Sequence, residues 1–139
     1  MITPGADRYT DLHQLVEDYR NRPFEWGAVD CMQITLDWLN RATGVRYFPE
    51  LKPYTTALGA ARVLRGLGYD SLEQAVDAHF TRKEVAFAQR GDLVSFRSID
   101  APEFPIAVGI CCGADSIFPA EKGLILNPTS LCTNVWKVD

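Results

Sequence analysis

The residue best suited to covalent chemistry in this sequence is Cys31, which closes the stretch Pro23-Phe24-Glu25-Trp26-Gly27-Ala28-Val29-Asp30-Cys31. A helical pattern, Met32 to Ala42, begins directly after it. Unpaired N–H groups and the positive end of the helix dipole converge at such a position. They lower the pKa of a thiol, and the thiolate is the nucleophilic form. Free cysteines are also among the residues most often buried as small hydrophobes. Asp30 is suited to cap the helix, and its negative charge raises the pKa of the neighbouring thiol. Nucleophilic catalysis further requires a base within hydrogen-bond reach of the sulfur. The chain has two histidines, His13 and His79, both on predicted helices far from Cys31 in sequence.

The remaining cysteines are Cys111, Cys112 and Cys132, and no C-x-x-C pair occurs. Structural zinc sites show ligands paired at short spacing, so neither a metal nor another cofactor is expected. On a strand, Cys111 and Cys112 point to opposite faces and do not hold one ion together. A metal or cluster bound through Cys111, Cys112 and Cys132 is the competing reading. Nothing marks a secreted disulfide scaffold.

These residues need elements to position them. Leu12, Leu15, Val16 and Tyr19 predict a helix over Asp11 to Arg20, with Thr10 as N-cap and an end enforced before Pro23. The second helix runs from near Cys31 to Ala42 and buries Ile34, Thr35, Trp38, Leu39 and Ala42, with Gly44 as its stop. Val45 to Pro53 reads as a loop. A third helix starts at Thr55 or Thr56 with Leu58, Ala61 and Leu64 as its apolar stripe, and stops at Gly66 or Gly68. Ser71 and Gln74 have capping-box spacing for a fourth, which runs to about Phe80 and buries Leu72, Ala75, Val76 and His79 or Phe80. His79 itself suits a helix end or the surface.

After this, short β-branched and aromatic runs punctuated by Gly and Pro predict strands at Asp92 to Arg97, Ile106 to Cys112, Asp115 to Phe118, Gly123 to Leu126 and Val135 to Val138. Helices first and strands afterwards is the α+β signature, with helices packed on one side of an antiparallel sheet. The 139 residues suit a single domain spanning 1–139. A hydrophobic share of 47 % is ordinary for a soluble globular protein. The net charge of −4 and scattered basic residues leave no footprint for nucleic acid. Met1 to Asp7 lacks the features of a signal peptide, and no apolar run is long enough to cross a membrane. Synthesis and folding in the cytoplasm without membrane insertion are therefore expected.

Trp26-Gly27-x-x-Asp30-Cys31 before a helix resembles the nucleophile motif of the NlpC/P60 group of papain-like cysteine peptidases. Arg90-Gly91-Asp92-Leu93-Val94-Ser95-Phe96 resembles that group's Gly-Asp strand. Ile106-Ala107-Val108-Gly109-Ile110-Cys111-Cys112-Gly113 resembles the adjacent strand, which reads His-Val-Gly-Ile in active members. The chain resembles more closely a branch of phage and prophage proteins related to NlpC/P60, through Phe24-x-Trp26-Gly27-x-x-Asp30-Cys31, Tyr54-x-x-Ala57-x-Gly59-Ala60, and Gly123-Leu124 to Trp136. The similarity spans roughly Pro23 to Trp136. It implies a papain-like fold whose former active site is lined by Trp26, Gly27, Asp30, Asp92 and Ala107 around Cys31. Aligning the Val-Gly-Ile run puts Ala107 where the catalytic histidine stands, and alanine accepts no proton.

The residues also have plainer roles. Trp26 and Trp38 suit a core, Gly27 and Gly91 suit turns, and Asp92 suits bonds to nearby backbone N–H groups. The expectation is a papain-like domain without the usual dyad, with Cys31 a relic. The resemblance implies a tail-tip or tail-assembly protein made in the host cytoplasm and carried in the virion. Its partners would be tail-hub and tape-measure proteins, with peptidoglycan nearby. The loop Tyr47-Phe48-Pro49-Glu50-Leu51 and the segment Ile99 to Pro105 are candidate interfaces. The alternative is a cysteine amidase or endopeptidase cutting peptidoglycan peptides, with Cys31 as nucleophile and His79 as the only histidine to nominate as base.

Overall fold

The computed structural model describes residues 8–97 and 106–138. The expectations for Met1 to Asp7 and for the interface segment Ile99 to Pro105 lie outside the described residues. Four helices come first: α1 (Arg8–Tyr19), α2 (Cys31–Thr43), α3 (Ala57–Gly66) and α4 (Leu72–Asp77). Six strands follow: β1 (Arg82–Lys83), β2 (Leu93–Arg97), β3 (Ile106–Cys111), β4 (Asp115–Ala120), β5 (Gly123–Pro128) and β6 (Asn134–Trp136). The described chain is thus α+β, as the order of patterns predicts.

Helix α1 begins at Arg8, so Thr10 lies inside it rather than capping it. The Arg8 guanidinium donates to the carbonyl of Val138 and ties this end of α1 to the segment after β6. Leu12, Leu15 and Tyr19 are buried, while His13 is exposed. Helix α2 follows its sequence signals closely. Asp30 Oδ1 accepts from the Gln33 N–H at 2.9 Å, and Gly44, at φ 75°, closes the far end with its N–H on the Asn40 carbonyl. All five predicted apolar-face positions are buried, Trp38 completely. Burying Trp38 and Leu39 contributes on the order of 2–3 kcal/mol each.

The stripe expected on α3 is corrected. Thr56 caps it, taking the Gly59 N–H at 2.9 Å, and the buried residues are Ala60 and Leu64. Leu58 is exposed and Ala61 half-buried. An i, i+4 pair stays on one face of a helix, whereas residues at i, i+3, i+6 drift around it. Helix α4 keeps its Ser71 cap but ends at Asp77, short of Phe80. There the Asp77 carboxylate is held by Arg82 Nε and Nη2 and by Trp136 Nε1, which turns the chain toward the sheet. His79 is accordingly exposed.

The sheet order is β1-β6-β2-β3-β4-β5, antiparallel throughout. Strands β2 to β5 form a meander, and β6 returns to lie between β1 and β2. Leu93, Val108, Ile110, Ile117 and Trp136 join the helices in the main core. Val94, Cys111, Phe118, Cys132 and Val135 form a second, smaller core on the other face, with Val85 and Ala88 packed against it.

Candidate functional site

The loop ahead of α2 folds back on itself through paired bonds between Glu25 and Val29, at 3.0 and 2.8 Å. This brings the Gly27 N–H onto Asp30 Oδ2 at 2.8 Å. Tyr54, arriving from the far side, donates its hydroxyl to the same oxygen at 2.7 Å, and Gln33 Nε2 donates to that hydroxyl at 3.2 Å. A fully buried carboxylate is stable only when its lone pairs are filled in this way. Gly27 has φ 85°, and a Cβ there would stand 1.9 Å from the Tyr54 carbonyl oxygen. Gly27, Asp30 and Tyr54 are therefore one tightly fitted unit. Burial, and then the Asp30 charge, push the Tyr54 phenol well above its ordinary range. Sequence reasoning gave Tyr54 no role, although it opened one of the motif matches.

Cys31 is buried in the main core beside this unit. Burial pushes its thiol up from an ordinary 9 to about 12. Backbone N–H groups of Val108, Met32 and Cys31 itself oppose the rise, and the Asp30 charge adds to it. The helix start does offer donors to the sulfur, as its position predicts, but desolvation outweighs them. At neutral pH Cys31 is a thiol.

The other motif positions part company. Trp26 is half-buried, edge-on to Phe24 at 4.9 Å and packed against the main core. Asp92 accepts the Gln89 N–H at 2.8 Å and the Val138 N–H at 3.2 Å, and pairs with Lys83 Nζ at 2.5 Å. Its carboxylate ties β1 and β2 to the segment after β6; none of these contacts involves Cys31. Ala107 packs with the second core, while Ile106, Val108 and Ile110 pack with the helices. Strand residues alternate between faces. Ala107 therefore lies on the face of β3 opposite Ile106, Val108 and Ile110. The β3 positions on the Cys31 side are aliphatic and accept no proton.

The profile of a domain of unknown function, DUF6950, matches residues 5–138. The chain belongs to that family. No curated protein matches it. In this DUF6950 domain, Cys111 joins a polar group of its own: its Sγ lies 3.3 Å from the Gly113 carbonyl and 3.8 Å from Thr129 Oγ1, which bonds Ser116 Oγ at 2.8 Å. Cys112 packs on the main-core side and Cys111 on the other, so adjacent residues serve opposite faces. Burial pushes the Cys112 thiol up to about 11 and raises that of Cys132. Among the described residues, no group of three or more His, Cys, Asp or Glu side chains is placed to hold a metal ion. No described helix is long and apolar enough to cross a membrane.

An open hollow lies elsewhere. A cleft of about 550 Å³ runs between α2 and the loop of residues 45–53, bordered by Gln33, Asn40, Arg46, Tyr47, Phe48 and Lys52. Phe48 has φ 51°, the only positive φ among the described non-glycine residues. A bulky side chain in that region carries about 1–2 kcal/mol of strain.

Proposed function

We propose that the chain is a papain-like domain of NlpC/P60 type that binds and assembles rather than hydrolyses, working at the tip of a phage or prophage tail. The observation that carries the non-hydrolytic part is at Cys31. Its thiol is buried in the main core and pushed up to about 12, and what β3 offers the sulfur is the backbone N–H of Val108. A nucleophile without a base loses several orders of magnitude in rate. The tail location, and hub and tape-measure proteins as partners, rest on the sequence resemblance.

The cysteine amidase is the second reading, favoured by the three N–H groups around the Cys31 sulfur, the arrangement that stabilises an oxyanion when it faces a substrate. One pair of measurements separates the two. Iodoacetamide labelling of folded protein at pH 7–9, read by intact mass, should leave Cys31 unmodified, and muropeptides should survive incubation. A tail-producing host strain carrying Cys31→Ala should still release complete tails, whereas removal of the whole domain should stop them. Rapid Cys31 labelling with muropeptide cleavage lost in Cys31→Ala would replace assembly with hydrolysis.

A further inference from the structure

Behind the cleft lies a second hollow of about 30 Å³, enclosed by Met32, Leu64, Leu72, Val76 and Phe80 among others. Leu36, Phe48 and Leu51 border both hollows and form the wall between them. The inner hollow is almost wholly apolar, yet Thr35, 4 % exposed, borders it. Thr35 Oγ1 is the only buried side-chain polar atom without a hydrogen-bond partner among the described residues. Native interiors rarely leave such an atom unmet.

Three features of the wall and rim point the same way. The Phe48 ring stands edge-on to His79 at 5.0 Å and to Tyr69 at 5.9 Å, held there by a strained backbone rather than a relaxed one. Strain of this kind gathers where a segment has two arrangements. At the rim, Arg46 and Lys52 are exposed and have no ion-pair partner among the described residues. The acid that borders the cleft, Asp37, is already met by Arg41 at 2.7 Å and by the Tyr19 hydroxyl at 2.6 Å. The cleft is thus locally basic on a chain of net charge −4.

We infer that this cleft docks an acidic peptide segment of a partner protein. An aromatic or large aliphatic side chain of the segment displaces Phe48 into the cleft and fills the hollow beside Thr35, while its carboxylates meet Arg46 and Lys52. The inference deepens the assembly reading and rests on it for the partner being a protein. The inner hollow as it stands holds about one water, so Phe48 is the plug and an incoming side chain must replace it. The carboxylates select the partner and steer its approach; the buried side chain supplies the hold.

The test is a methyl NMR titration of the full chain with three blocked peptides: acetyl-Asp-Glu-Phe-Asp-Glu-amide, its Asn/Gln counterpart, and its counterpart with Ala for Phe. The first should saturate shifts at Leu64 and Val76, and each counterpart should bind about tenfold more weakly or worse. The double variant Arg46→Gln with Lys52→Gln, both exposed and neutral to folding, should weaken the acidic peptide about tenfold and flatten its salt dependence. Equal binding by all three peptides, shifts absent from Leu64 and Val76, or an unchanged double variant would overturn the proposal. Saturation by octanoate but not by the peptide would also overturn it, assigning the hollow to a free amphiphilic carboxylate. Muropeptide cleavage would sink the assembly reading without moving any of these titrations, so the two failures are distinguishable.

Discussion

At the start of α2, Asp30 is buried with three donors on its carboxylate, Cys31 lies against backbone N–H groups, and a Cβ on Gly27 would meet a carbonyl. Along the same helix, α2 and the loop of residues 45–53 present the reverse: an open cleft, a strained phenylalanine and, among the described residues, two cations without an ion-pair partner and the Thr35 hydroxyl without a hydrogen-bond partner. The first region holds the residue types that suggest chemistry, and their bonding is already complete. The second holds residues no motif singles out, and it leaves valences open. Residue type marks where chemistry could be done, but unsatisfied groups mark where the molecule still has something to bind.

That contrast breaks most severely at Gly27. Gly27→Ala forces a methyl toward the Tyr54 carbonyl at a left-handed φ, and should cost about 3 kcal/mol or more, read as a fall in the urea midpoint. A variant of wild-type stability would mean the Asp30 unit is loose. A smaller effect belongs to Cys31 in alkali. Its folded pKa is raised from 9 to about 12, so the folded state retains a proton that the unfolded state releases. The stability this supplies is complete below pH 9 and is lost as pH rises from 9 toward 12. Cys31→Ala should therefore show a shallower fall in stability over that window, measured by denaturant titration at successive pH values. Parallel curves for the two proteins would place the sulfur in water. The smallest change is Thr35→Val, which exchanges an unmatched hydroxyl for a methyl and should be neutral or stabilising by up to ~1 kcal/mol. A clear loss in thermal midpoint would reveal a partner for Thr35, such as a bound water.

Much of the fold was legible because its signals are local. Asp30 and Gly44 bracket α2 by capping chemistry, and the strands from β2 to β5 start within a residue of where turns and β-branched runs place them. What was hidden depends on distant partners. Strand β1 is two polar residues, Arg82 and Lys83, that become a strand only by pairing with Trp136 and Val135. The face of Ala107 was hidden for another reason. The run Ile106 to Cys111 is apolar at every position, so alternation gives no sign of which side meets the helices. Phe48 carries no glycine or asparagine signal for its left-handed turn, so the cleft it guards could not be read from residue type.

The insertion of β6 between β1 and β2 has a consequence for biosynthesis. The ribosome delivers residues 134–136 after every other strand and helix of the fold, yet the sheet needs them in its interior. Until they emerge, β1 has no neighbour and β2 offers an open edge to other chains. The domain therefore closes as a unit after its last strand is released, and the nascent chain passes through a window in which that edge must be shielded.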